Sequence, residues 1–291
     1  MSDLTLGIDV SDLIARLAIV GGDEVLTQGV IAANRPAAIK DAAKKAVSSV
    51  KGKINVVAVA VPSAADSVPA DLAEALAGIG RGAPRAIAAG HAAAIAEQWC
   101  GVGRGVKHMI AFSMAEHVTA GVLIDGTPLR GAHGLGSSVG WLALNPVERE
   151  DYRRLGGLEA EIASAGIVRR FVWRVKSGDQ SRVADQVKGD FSKIAAADIL
   201  QGARAGDGVS IAVVRDTAKY IGMAVANLVT LFDPELVVLG GIIASSGDLM
   251  LEPIRLEISR RLMPQQNGKV RVELSSLGDD AVAIGAAHAY A

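Results

Sequence analysis

The chain has 291 residues, enough for two modest domains at the usual ~100 to 200 residues each and for a sizeable buried core. Thirty Lys and Arg against 31 Asp and Glu give a net charge of -1, which argues against a non-specific binder of nucleic acid or anionic lipid. A single cysteine, Cys100, excludes an intrachain disulfide and any Cys-rich zinc knuckle, and 33 glycines with few aromatic residues suit closely packed helices and sheets.

In chain order, residues 4–9, 14–20 and 24–31 predict three short strands, the last two joined at Gly21-Gly22, where residues without Cβ permit a tight reversal. Residues 36–50 predict an Ala-rich helix opened by Pro36, and INVVAVAV at 54–61 is the continuous apolar run of a strand buried on both faces. The pattern then recurs. Residues 107–113 and 119–124 predict strands, Asp125-Gly126 signals a hairpin continued by 127–130, helices follow, and LVVL at 236–239 is another buried strand. Two similar halves, 1–105 and 106–291, imply a cleft between them, with the last helix expected to pack back on the first half. Ile211, Val214, Ala218, Ile221, Val225, Leu228 and Phe232 recur at helical spacing and predict one long amphipathic helix stopped at Asp233-Pro234. Residues 177–190 are polar and read as an exposed connector. The longest uncharged apolar stretch, 220–232, is too short for the ~20 residues of a spanning helix, and MSDLTLGIDV lacks the basic and apolar segments of a secretory signal. A cytoplasmic protein with no membrane partner is expected.

Five stretches carry a family resemblance: LGIDV at 6–10, AGVLIDGTPLRGAHGLG at 120–136, GGLEAEIAS at 156–164, ANLVTLFDPELVVLGGIIASSGDLMLEPI at 226–254 and LGDDAVAIGAA at 277–287. Together they resemble the ROK family of repressors, open reading frames and sugar kinases over nearly the full length. The resemblance implies an α/β fold of duplicated actin-like ATPase (ribonuclease H-like) domains with an inter-domain cleft. It also implies ATP and Mg²⁺ as cofactors if the protein is active, a small-molecule sugar as partner, and a homodimer.

At the site the chain departs from the pattern. The family's first phosphate turn, Asp-x-Gly-Gly-Thr, appears as Asp9-Val10-Ser11-Asp12-Leu13; the resemblance assigns Asp9 to organising Mg²⁺ through water. The second, Gly-Thr-Gly-Ile-Gly-x-Gly, appears as residues 115–121, keeping only Gly121. Glycines matter there because backbone N–H groups must approach phosphate oxygens closely. Asp12 and Glu116 either face phosphate, where a unit charge ~4 Å away costs roughly 4 kcal/mol at an effective dielectric of ~20, or point to solvent. Gly240-Gly241 is retained where relatives let the nucleoside approach backbone, and serves strand-to-helix packing on the other reading.

The family's sugar-binding Asn and catalytic Asp are matched to Gly90 and His91. His91 is either an imidazole base or a partly buried residue at a helix start. Gly-Glu-x-Gly-His, which holds sugar hydroxyls, becomes Ser137-Ser138-Val139-Gly140-Trp141; Ser138 is too short to replace a carboxylate, and Trp141 either stacks on a sugar or fills a core gap. Glu159 matches a family Glu that contacts sugar, although a lone helical Glu, like Glu97, is commonly solvated. Glu150, Tyr152 and Gly157 stand at the zinc-ligand cysteines, so no zinc or other protein-bound metal site is expected. Cys100 reads as a packed thiol.

The sequence therefore points to a ROK sugar-kinase homologue with a degenerate site, binding a small ligand or a partner. The alternative is an ATP-dependent kinase of hexoses or N-acylhexosamines with His91 as base and Asp9 on Mg²⁺. A repressor would carry a helix-turn-helix ahead of a first strand that begins at residue 4, so no nucleic-acid partner is expected.

Overall fold

The computed structural model describes residues 3–63 and 67–291. The first half is a meander of β1 (Asp3–Asp9), β2 (Arg16–Gly21) and β3 (Glu24–Val30), followed by α1 (Pro36–Ser49), β4 (Lys53–Val61), α2 (Ala70–Ala75), β5 (Arg85–Ala88) and α3 (Ala89–Cys100). The second half opens with the meander β6 (Met109–Met114), β7 (Val118–Ile124) and β8 (Thr127–Pro128). Six helices come next: α4 (Glu150–Leu155), α5 (Gly157–Ile162), α6 (Ser164–Lys176), α7 (Arg182–Gln186), α8 (Ala196–Arg204) and α9 (Gly208–Phe232). Last come β9 (Leu236–Gly241), α10 (Ile242–Ser245), α11 (Gly247–Ser259), β10 (Arg271–Leu274) and α12 (Ala281–His288).

The two five-stranded sheets repeat one topology, β3-β2-β1-β4-β5 and β8-β7-β6-β9-β10. In each, the first three strands are antiparallel and the last two run parallel beside the first. Burial follows position. Leu4, Leu6 and Ile8 of central β1 are fully buried, as an uninterrupted apolar strand covered on both faces requires, whereas β3 at the edge keeps alternate residues exposed. The fold is thus the duplicated α/β architecture that the resemblance implies.

The connections explain the cleft. By position in the repeat α3 and α12 are equivalent, yet α3 packs on β6 and β7 of the second sheet while α12 packs on β1, β2 and β4 of the first. The two helices also pack on each other. A Cβ on Gly285 would sit 1.7 Å from Ala92 O, one on Gly7 would sit 2.1 Å from Ala283 O, and one on Gly90 would sit 2.1 Å from Ala120 O. Contact at that range admits only hydrogen at Cα. Trp99 stacks on His288 with centroids 4.0 Å apart, and Tyr290 donates its hydroxyl to Ala86 O at 3.2 Å, closing the C-terminal end onto the first half.

The predicted long helix is α9, whose Val214, Ala218, Ile221, Val225 and Leu228 are buried; its Asp207 N-cap accepts from Ser210 N at 2.9 Å. The stretch 177–190 differs from its expected role as an exposed connector. It contains α7, which buries Val183 and Ala184 and is capped by Ser181; burial of this small apolar pair outweighs the charge around it. Among the described residues no helix is long and apolar enough to cross a membrane.

Replacing Gly285 with Ala should lower the free energy of unfolding by about 1 to 3 kcal/mol through overpacking at the α3–α12 contact. Urea melts would register it, with Gly29→Ala, whose Cβ meets nothing within 4 Å, as the neutral comparison.

Candidate functional site

The cleft opens at the carboxyl ends of β1 and β9, the usual ligand position in open α/β sheets. It has two adjoining hollows that share His117 and Thr119.

The first is bordered by Asp9, Asp12, Glu97, His117, Gly240 and Gly241. Asp9 ends β1 and is 5% exposed; its Oδ1 accepts from Ser11 N at 2.9 Å and Ser11 Oγ at 2.6 Å. Burial pushes its carboxyl up to about 6 despite those two bonds. Asp12 faces this hollow rather than pointing away, whereas Glu116 borders a neighbouring groove beside Ile242. Arg16 spans Asp279 at 2.7 Å and Asp280 at 3.2 Å, so its charge is already paired. Glu97 is not solvated: it is 1% exposed, and its Oε1 and Oε2 accept from Ser275 Oγ (2.5 Å) and Val102 N (3.1 Å). Burial raises its carboxyl, and burial with nearby Glu97 raises the Cys100 thiol, which leaves that cysteine a poor nucleophile.

The second hollow brings together Gly90, Ser138, Trp141 and Glu159. Trp141 is 59% exposed, so it fills no core gap; the short helical turn Val139–Trp141 buries Val139 and Gly140 and turns the indole outward. Ser138 Oγ donates to Leu135 O at 2.8 Å. Glu159 is held rather than solvated: Oε1 lies 3.1 Å from His117 Nδ1 and Oε2 accepts from Val118 N at 3.1 Å. Hydrogen bonding to the Glu159 carboxylate raises the His117 imidazole above its ordinary value, outweighing burial. His117 was not singled out in the sequence, because its partner lies 42 residues away and only β7 and α5 bring the two together.

His91 lies apart from this set. Its ring is buried, Nε2 is 3.1 Å from Leu129 O, and it borders a different hollow with Arg130 and Tyr290. Burial lowers its pKa. The start of α3 gives the second hollow Ala88 and Gly90 instead. The physical reason is helical rotation: about 100° per residue carries position 91 away from the face that position 90 presents. Gly121 also differs from its expected phosphate contact. It borders neither hollow, and its Cβ would sit 2.1 Å from Gly90 O, so it packs strand against helix. Gly241, at φ 62° with a Cβ position 2.4 Å from Met114 O, joins packing to a place on the cleft wall.

The loop at the expected zinc-ligand positions is tied by charge. Glu161, 4% exposed, receives Arg149 and Arg169 at 3.1 Å each and the Tyr152 hydroxyl at 2.5 Å; Arg149 also pairs with Asp151.

A ROK family model matches residues 85–290. The chain belongs to the ROK family. Its ROK relatives include a glucokinase from Halalkalibacterium halodurans, 30% identical over 182 residues that span 61% of this chain and 54% of the relative. They also include a xylose repressor from Caldicellulosiruptor bescii, 30% identical over 183 residues, 61% of this chain and 44% of the relative. The chain therefore matches about half the length of these curated relatives. A ROK family glucokinase from Streptomyces griseus, solved in complex with glucose and AMPPNP, superposes with a TM-score of 0.79 at 24% identity over 98% of both chains. That likeness shows the fold alone. The repressor relative removes the ground for excluding nucleic acid as a partner of this ROK protein.

Among the described residues the ionisable groups bordering the first hollow are Asp9, Asp12, Glu97, His117 and the mutually paired Arg16 and Asp279.

Asp9 binds its proton more tightly in the folded chain than the ~3.9 of an unfolded carboxyl, so it stabilises the fold below about pH 4 and that contribution is lost as pH climbs through about 6. Asp9→Asn should flatten this limb and raise stability at pH 7 by about 3 kcal/mol at most, read from urea melts between pH 4 and 8.

Proposed function

We propose that this ROK protein binds a sugar-like ligand in its cleft and no longer transfers phosphate efficiently. The observation that carries this reading is the start of α3, which gives the second hollow Ala88 and Gly90, neither able to accept a proton, while the His91 ring is engaged with Leu129 O. Loss of general-base assistance typically removes ~10²- to 10⁴-fold in rate. The carboxylates of the first hollow support the same conclusion, because they oppose a polyphosphate where a kinase must hold one. In this reading Asp9 is a buried, part-protonated carboxyl, Glu159 and Trp141 frame the ligand, and Ser138 contributes backbone and bulk.

A second reading, an ATP-dependent kinase of a hexose or N-acylhexosamine, is favoured by the glucokinase relative and by Asp9, Gly240 and Gly241 standing on one cleft wall. Under it Asp9 would hold Mg²⁺ through water. The boundary at 105/106, between α3 and β6, belongs to the same proposal: the halves 1–105 and 106–291 close on ligand about the α3–α12 contact. A homodimer is expected by family resemblance.

ATP with Mg²⁺ should neither raise the melting temperature nor be consumed with glucose, xylose, N-acetylglucosamine or N-acetylmannosamine. Efficient turnover of any of them would overturn the degenerate reading in favour of the kinase. Sedimentation at micromolar concentration should give twice the chain mass; a lone monomer would contradict the dimer.

A further inference from the structure

We propose that the second hollow is built for a monosaccharide carrying an anionic group, a phosphate or a carboxylate, in preference to a neutral sugar; this rests on the ligand-binding reading above. Three ionisable side chains border it: His117, Arg154 and Glu159. Glu159 is spent, with one oxygen on His117 and the other on the Val118 N–H. Arg154, in the last turn of α4, has no carboxylate partner among the described residues, whereas its neighbour Arg153 is paired with Glu148 at 2.6 Å and Arg149 is held in the Glu161 cluster.

The uncharged lining points the same way. A neutral polyol is gripped by acceptors that take its hydroxyl protons, and carboxylates serve this best. No side chain of the 137–141 turn is ionisable, and the Ser138 hydroxyl is already donated to Leu135 O. At its border stands Arg154, exposed, whose planar guanidinium matches phosphate or carboxylate, together with an indole 59% exposed on which a pyranose face can lie. Asp9 and Asp12 disfavour an anion in the adjoining hollow, where Asp279 is paired with Arg16. The cleft therefore carries a charge gradient that orients such a ligand with its anionic group at Arg154 and its neutral end toward Asp9.

Calorimetry on the intact protein would compare glucose with glucose 6-phosphate and glucuronate, N-acetylglucosamine with its 6-phosphate, and inorganic phosphate alone. At least one charged sugar should bind about tenfold or more tightly than its neutral parent, and the arms decide between phosphate and carboxylate. Arg154→Gln should collapse that preference with an unchanged thermal melt, while Arg153→Gln leaves it intact. Equal binding of charged and neutral sugars, a preference that survives Arg154→Gln, or inorganic phosphate binding as tightly as the sugar phosphates would each overturn the proposal. Failure of every monosaccharide, charged or neutral, would instead bring down the sugar-binding reading itself.

Discussion

The packing of α3 against α12 is the contact on which the rest of the molecule depends. Each helix leaves one half of the duplicated fold and lies on the sheet of the other, so the two sheets face a common helical pair instead of standing apart. Side chains larger than hydrogen at Gly285, Gly7 or Gly90 would push the layers apart by more than the packing could absorb, because the atoms they would meet are backbone rather than flexible side-chain ends. The cleft is the space left open at the carboxyl ends of β1 and β9.

On that framework the cleft is electrostatically asymmetric. Carboxylates gather at the end that Asp9 and Asp12 border, and burial pushes the Asp9 carboxyl up to about 6. At the other end the one carboxylate is hydrogen-bonded to an imidazole and a backbone amide, and an exposed arginine has no carboxylate partner among the described residues. A phosphotransferase acting on a neutral sugar wants the reverse, positive potential around the polyphosphate and acceptors around the polyol. The asymmetry and the lack of a proton acceptor at the start of α3 are independent observations that lead to one proposal.

The loop between Trp141 and Gly157 carries part of that second hollow, and its hold on the body is ionic. Glu161 is buried beneath two arginines and a tyrosine, an arrangement whose net contribution to stability is small but whose disruption leaves an uncompensated buried charge. Such a cluster gives geometric definition, and through it the wall formed by Trp141, Arg154 and Glu159 is kept in register with β7.

The amino-acid order alone specified the repeated strand pattern, the apolar runs that became β4 and β9, the long helix α9, and the family framework, because these rest on local periodicity and on contiguous motifs. It missed β5 and β10, four-residue strands whose existence depends on pairing with β4 and β9, and it took 177–190 for an exposed connector because the burial of Val183 and Ala184 is a long-range event. At the site, linear order put Gly90 and His91 together, but one residue of helical rotation turned them to different hollows. Tertiary structure alone paired His117 with Glu159, exposed Trp141, and set Arg154 at the border of the second hollow, since such pairings depend on distances in space that spacing along the chain does not encode.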